Sequence, residues 1–537
     1  MDVRARSQRS PDQQCASARS MKNAELEISL PVDQKLPDLL ASFQGNFAVS
    51  ILPGTVCHRF FYDTIDWLLY NNGAVLEAHE NGQARRIYWR PDPASTLKIQ
   101  LGLKQVPQLA SDLPDSRFRR ELQSVISVRE LIPRIEVKIK RLPLVVLDPQ
   151  ERAAVRINLD EYWYIPTGTV AGAMLGKRVT IKPVKGHADD FDRVEAFFHP
   201  LQQDGVPENV FTLALAESGK STTEYSNKLN LSLEPEMTAE QALKRVLLRL
   251  LDILQQNTAG SKRGRDIEYM HDYRVAIRKT RSALTQVEQV LPQDQTARYN
   301  RFFSGLGKLT NPIRDLDVFL LKLEKYRKWL KKPARRNLEP VQSYLAHIRE
   351  AAQQEFIKTL ETREYRDLVG EWREYLESSR PTRLPLENTQ TPVGRLAGEL
   401  IWDMYRLALD EGNAITDESR AEALHELRKT CKKLRYLMEF FQSLYPANKI
   451  CELIQAMKGL QDNLGEFNDL HVHAVILKKF IKQSKDKPAN KACKQLIKAL
   501  KNKQARTRDR FAKRYAAFAS IENQNRFREL FAGAPAG

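Results

Sequence analysis

Two stretches of this chain are the same helix written twice. HDYRVAIRKTRSAL begins at His271 and HELRKTCKKLRYLM at His425, an offset of 154 residues. The shift places Arg274 on Arg428, Lys279 on Lys433 and Arg281 on Arg435, while Arg278 meets Lys432. Without any gap it also places Gly305-Leu306 on Gly459-Leu460, Asp315-Leu316 on Asp469-Leu470 and Val318 on Val472. Two separated windows that share one offset indicate a duplicated unit, and a duplicated helical unit must fold as two related bundles. The apolar spacing from Thr238 onward is helical throughout, with about four helices per copy.

The repeated helix carries an unusual face. At about 100° per residue, His271, Arg274, Arg278 and Arg281 fall within an arc of roughly 80°. Tyr273, Ile277 and Leu284 lie on the neighbouring arc and suit a core-facing stripe. His425, Arg428, Lys432 and Arg435 repeat the arrangement, with Leu427, Cys431, Leu434 and Met438 as the stripe. Like charges at i,i+4 weaken a helix by a few tenths of a kcal/mol per pair. If the two copies pack face to face, both stripes line one groove, with a cation at each turn of about 5.4 Å. Such a groove suits a chain of phosphates, Arg acting as a fork and Lys as a point charge. The competing reading is a pair of solvated faces.

The charge distribution bears on that choice. Residues 1–230 hold 29 Lys+Arg against 28 Asp+Glu, and the remaining 307 hold 56 against 39. The net charge of +18 therefore belongs to the helical part, and the surplus favours a polyanionic partner. Five scattered cysteines with no CxxC pair argue for a reducing compartment and against structural zinc. No apolar run is long enough to span a bilayer. The histidines, 154 residues apart with no local second ligand, do not have metal-ligand spacing, and HVH at His471–His473 splays its rings apart. Nucleic acid ranks below a simpler polyanion, because no RNP motif, zinc finger or aromatic-interleaved basic strand is present.

The fold class expected is α+β and multidomain. Residues 1–20 are read as a disordered tail, with Met1 and Met21 both open as the start. Residues 21–217 read as about eight strands of an antiparallel β-barrel, with short helices at 37–43 and 193–202. A linker follows at 218–237, and the duplicated all-α part covers 238–531, in repeats of about 238–380 and 392–531.

HDYRVAIRKTRS with RDLDV, and LHELRKTCKKLRY with LQDNLGEFNDL, resemble the two halves of a CHAD domain, a conserved-histidine α-helical domain. The resemblance implies two pseudo-symmetric four-helix bundles around a basic pore that binds inorganic polyphosphate. It also implies frequent association with polyphosphate granules, and with the reducing compartment argued from the cysteines the expected location is cytoplasmic. The polyphosphate-binding residues it implies are His271, Arg274, Arg278, Lys279 and Arg281 with His425, Arg428, Lys432, Lys433 and Arg435.

Residues 21–217 resemble a CYTH or triphosphate tunnel domain. AELEISL is similar to the family's ExExK strand, which implies Glu25 and Glu27 as metal ligands inside the tunnel. RFFYDTIDWLLYNNGAVLEAHE is similar to the following segment. Lys98, Arg120, Lys138 and Lys140 are the implied basic positions on inward-facing strands. Three departures stand out: Ser29 replaces the ExExK lysine, VLEAHE lacks the family's arginine, and Lys182 occupies a strand where carboxylates are expected. A triphosphate hydrolase needs clustered carboxylates for Mg²⁺ or Mn²⁺. The expectation is a tunnel with lost or weakened catalysis and no catalytic residue to assign. No cofactor is needed for polyphosphate binding, and Mg or Mn enters only if the tunnel is active. The alternative is an active metal-dependent triphosphatase with the helical part as its substrate-binding module. The oligomeric state is open.

Overall fold

The computed structural model describes residues 25–82, 84–90, 99–169, 171–202, 209–378, 386–416 and 418–532. Lys98 and the stretch 1–20 lie outside the described residues. The chain divides into two compact units, up to Tyr225 and from Ser226.

The first unit is one antiparallel sheet. Its strands are β1 (Leu26–Leu30), β2 (Val49–Ile51), β3 (Thr55–Asp63), β4 (Val75–Asn81), β5 (Ala84–Arg90), β6 (Ile99–Leu101), β7 (Ile132–Leu147), β8 (Ala153–Tyr164) and β9 (Ala173–Pro183). The order is β1-β9-β8-β7-β3-β4-β5-β6, with β2 added to β7. Among the described residues no ladder joins β6 back to β1. Alternation sorts the side chains onto two faces. Ile28, Leu30, Leu144, Val146, Ile157 and Val179 form one apolar face, covered by helices α1 (Leu36–Asn46) and α3 (Ala188–Phe198). Ile135, Val137 and Ile139 belong to the opposite face, covered by α4 (Val210–Glu217) through Val210, Phe211 and Ala214. A further helix, α2 (Arg117–Ile126), is capped by Ser116 through the Arg119 amide. The sequence pattern gave no sign of β2, α2 or α4.

Repetition governs the second unit. The helices α5 (Ala239–Arg263), α6 (Ile267–Gln286) and α7 (Gln293–Arg327) are followed by α8 (Lys332–Arg336), α9 (Glu339–Glu361) and α10 (Arg363–Glu377). The second copy has α11 (Val393–Asn413), α12 (Ala421–Phe440), α13 (Ala447–Gln483), α14 (Lys487–Asp509), α15 (Phe511–Phe518) and α16 (Ile521–Phe527). The first three helices of the two copies start 154 residues apart. From Glu339 and Lys487 onward the offset is 148. The first copy therefore carries six extra residues between its third and fourth long helices, where α8 lies. Leu229 and Leu233, inside the stretch read as a linker, are buried in the core of this unit.

The two bundles are fused through shared cores. One core takes Tyr299, Phe303, Leu306 and Ile313 of α7 together with Leu453, Leu460 and Leu464 of α13. A second core takes Leu316, Phe319 and Leu323 of α7 together with Leu470, Ala474 and Leu477 of α13. Each long helix thus leaves one core and enters the other, between Ile313 and Leu316 and between Leu464 and Leu470. The polar residues Arg314-Asp315 and Asn468-Asp469 sit at those crossings.

Close packing near helix ends gives a direct test. A Cβ on Gly260 would lie 2.2 Å from the Tyr269 ring, whereas Gly305 has nothing within 4 Å. Gly260→Ala should destabilise the unit by ~1–3 kcal/mol through overpacking. Gly305→Ala should stabilise it by up to about 1 kcal/mol, as for an exposed helical glycine. Urea titrations of the two variants read both signs.

Candidate anion-binding cleft

The two basic helices, α6 and α12, share one cleft of about 780 Å³ with the crossing points of α7 and α13. Of the ten residues implied by the resemblance, nine line it; Lys279 does not. The lining carries nine Arg or Lys side chains, Arg314 included, against Asp315, Asp462 and Asp469. Lys279 instead lines an adjoining cleft of about 500 Å³, where its ammonium pairs with Glu439 at 2.8 Å. His271, Arg278, Lys432 and Arg435 border both clefts.

The copies position their arginines differently. Arg274 is buried; its guanidinium donates to the Asn311 side-chain oxygen and, at 3.5 Å, to the Thr310 hydroxyl. Gly465 occupies the position of Asn311 in the second copy. Arg428, the partner of Arg274 by duplication, therefore lacks that amide. The opposite holds one turn further along. Arg435 donates to Glu439 at 2.6 Å and to Gln461 at 3.2 Å. Thr285 and Gly307 stand at the matching positions of the first copy, so Arg281 has neither partner. Among the described residues, Arg278, Arg281, Arg428, Lys432 and Lys433 form no ion pair. The Nε atoms of Arg278, Arg281 and Arg428 are buried without a hydrogen-bond partner.

Among the described residues, Asp315 and Asp469 form no ion pair with the arginines of the cleft. Asp469 pairs with Lys322 at 2.7 Å. Among the described residues Asp315 makes no direct bond; burial raises its pKa against the pull of Arg274, and Asp469 raises it further. His473 is buried, stacked on Phe319 with centroids 4.4 Å apart, and its Nδ1 faces the Tyr326 hydroxyl at 3.0 Å.

Crowding of like charge in a partly dry cleft depresses the basic groups. Burial, then Arg278 and Arg428, pushes Lys432 from 10.5 down to about 6. Burial, then Arg278, lowers Arg274 to about 10. Arg428 is lowered by burial first. His271 falls to about 4 through burial and then Arg314. His425 lies exposed at the rim.

The first unit separates its own candidates. Residues paired across strands share a face, so Glu27, Ser29, Arg178, Asp160 and Arg141 lie on one side. Lys138 and Lys140 alternate with Arg141 and lie on the other, Lys140 over the Trp163 ring at 4.8 Å. Arg120 is on a helix, not a strand, and is exposed. The inward-facing assignment of these three is therefore corrected: strand parity excludes two and secondary structure excludes the third. The cations on the Glu27 side include Arg59, Arg86, Arg90, Arg141, Arg156, Arg178 and Lys182. Counting parity from Glu27 and Arg178 would have found several of them in the sequence. Four carboxylates there lie against cations. Glu25 pairs with Lys182 at 3.0 Å, Glu27 with Arg178 at 2.6 Å, and Asp160 takes a two-pronged Arg141 at 2.7 and 2.6 Å. Glu77, fully buried, lies 3.6 Å from Arg90 and 3.8 Å from Arg59. Among the described residues no cluster of three or more His, Cys, Asp or Glu is placed to hold a metal ion.

Residues 245–478 match the family model of the CHAD domain. This segment is a CHAD domain. The chain is similar to the crystal structure of the CHAD domain from the plant Ricinus communis, at 22% identity over 54% of this chain and 95% of that one, with a TM-score of 0.47. PptA from Streptomyces chartreusis is 12% identical over 52% of this chain and 99% of its own, with a TM-score of 0.43. The Hippeastrum protein HpAC1, described with a dominant triphosphatase activity, is 14% identical over 37% of this chain and 99% of its own, at a TM-score of 0.24. No curated protein matches the chain. Among the described residues no helix is long and apolar enough to cross a membrane.

Lys432 ties the CHAD cleft to stability. A lysine whose folded pKa lies below 10.5 penalises folding, and the penalty grows as pH falls from 10.5 to about 6, then stays constant. Lys432→Met should therefore be more stable than the parent at pH 7, by roughly 1–3 kcal/mol. The advantage should shrink as pH rises toward 10.5. Denaturant titrations at several pH values measure it.

Proposed function

We propose that the CHAD domain binds inorganic polyphosphate in the cleft between α6 and α12. One observation carries the reading. Arg278, Arg281, Arg428, Lys432 and Lys433, drawn from both copies, line one cleft without a carboxylate partner. Holding them there is unfavourable until an anion arrives. An anion in the cleft gains charge-assisted hydrogen bonds from these guanidinium and ammonium groups, which have no carboxylate partner within the fold. A linear phosphate chain meets cations from both helices at successive turns. A nucleic acid strand fits less well, since the cleft holds no Trp or Phe and Tyr436 is buried, leaving no platform for a base. The first unit is read as non-hydrolysing, a reading supported by the cation against each of Glu25, Glu27 and Asp160.

Arg278→Ala/Arg428→Ala should weaken polyphosphate binding at least about tenfold and lower the slope of log K against log salt by about 1 per lost cation. Unchanged affinity and slope would show that the chain binds elsewhere. Binding should also take up a proton at Lys432. Its free pKa is about 6, and a bound phosphate raises it, so affinity tightens as pH falls toward 6 and levels off below. Calorimetry in buffers of different ionisation enthalpy detects the proton, and Lys432→Arg should bind without this pH dependence. Phosphate release from tripolyphosphate with Mg²⁺ or Mn²⁺, lost in Glu25→Ala/Glu27→Ala, would instead favour the hydrolase reading.

A further inference from the structure

A second pocket in the helical unit has a different chemistry. It measures about 480 Å³, lies among the end of α7, the turn that follows it, α13 and α14, and shares no lining residue with the basic cleft. Its floor is aromatic and apolar. Trp329 is 37% exposed, a rare state for so large a ring in this molecule. Its ring lies 4.8 Å from that of Tyr326, which is buried and held through its hydroxyl by His473. The shelf therefore has a rigid backing.

The rim is cationic. Lys325 and Arg506 are exposed and, among the described residues, form no ion pair. Lys322 is shared with Asp469 at 2.7 Å and Lys503 with Glu466 at 3.5 Å. Glu466 is the one carboxylate of the lining, and it is already engaged by Arg510 at 3.4 Å and by the Thr507 hydroxyl at 3.3 Å.

We propose that this pocket binds a nucleoside phosphate, with the base against Trp329 and the phosphates among Lys322, Lys325, Lys503 and Arg506. An exposed indole offers a planar ring a stacking surface, and the lysines and arginine beside it take the charge. Its volume lies within the range of small-molecule sites. A bare phosphate chain gains nothing from the aromatic floor, which separates this pocket from the cleft. The inference does not depend on what the cleft binds.

The test is competition against fluorescent ADP on the full chain at low salt, read by anisotropy. Unlabelled ADP should displace the probe at least about tenfold more effectively than pyrophosphate, the gain expected from stacking one base. Trp329→Ala should weaken ADP by a similar factor and leave pyrophosphate unchanged. Lys325→Ala/Arg506→Ala should weaken both, and Arg278→Ala/Arg428→Ala neither. Since Trp329, Lys325 and Arg506 are all exposed, melting curves should match the parent's. Equal competition by ADP and pyrophosphate would overturn the proposal. So would absence of probe binding, or a loss that follows Arg278 and Arg428 rather than Trp329.

Discussion

Like charges brought close together in a partly dry cleft repel, and the helical unit is built to hold them there. The force that opposes the repulsion is apolar burial on either side. The long helices α7 and α13 each anchor one half in one core and the other half in a second core. The cleft borders the crossings between them, where Arg314-Asp315 and Asn468-Asp469 replace apolar residues. The energy of two large cores, at about 25 cal/mol per Å² buried, exceeds the electrostatic cost of a few crowded cations. A depressed Lys432 and a depressed Arg274 are the residue of that balance. The same balance leaves cations in the cleft without carboxylate partners, which favours binding an anion.

Duplication supplied the cations, and divergence set how freely each can act. In the first copy Arg274 is fixed by Asn311, while Arg281 has no equivalents of Gln461 and Glu439. In the second copy Arg435 is fixed, and Arg428 faces Gly465 instead of an amide. Each copy therefore holds one arginine of the pair rigidly and leaves the other unpartnered. Glu439 also draws Lys279 out of the cleft, although Lys433, its repeat partner, lines it. A duplicated sequence is thus no guide to duplicated roles. One acidic or amide residue on a neighbouring turn decides whether a cation is spent within the fold or remains available.

The sheet unit shows the opposite outcome with similar ingredients. Glu25, Glu27, Asp160 and Glu77 all face arginine or lysine on the same side of the sheet. Across a ladder, opposite charges on paired residues stabilise the strands. Carboxylates used in that way cannot also gather around a divalent ion without leaving their cations unpaired. The cations of β9, Arg178 and Lys182, therefore neutralise the carboxylates at the neighbouring β1, while Arg141 of β7 neutralises Asp160 of β8.

The sequence by itself determined the strand-rich and helix-rich halves, the duplication with its 154-residue offset, and the basic face of α6 and α12. These follow from local rules: periods of 2 and 3.6, and identity at a fixed spacing. Parity along β7 was also legible and separates Lys138 and Lys140 from Arg141, but the register that sets them away from Glu27 came from the structure. Tertiary structure alone decided which cations are free. That property depends on acceptors such as Asn311, Glu439 and Gln461, which lie on other helices or other turns and carry no signature of their own. It also decided that Trp329 stays exposed beside Lys325 and Arg506, since Arg506 comes from a helix far along the chain. Local pattern fixes what a segment can become, whereas partnership across the fold is a matter of distance, which no single segment records.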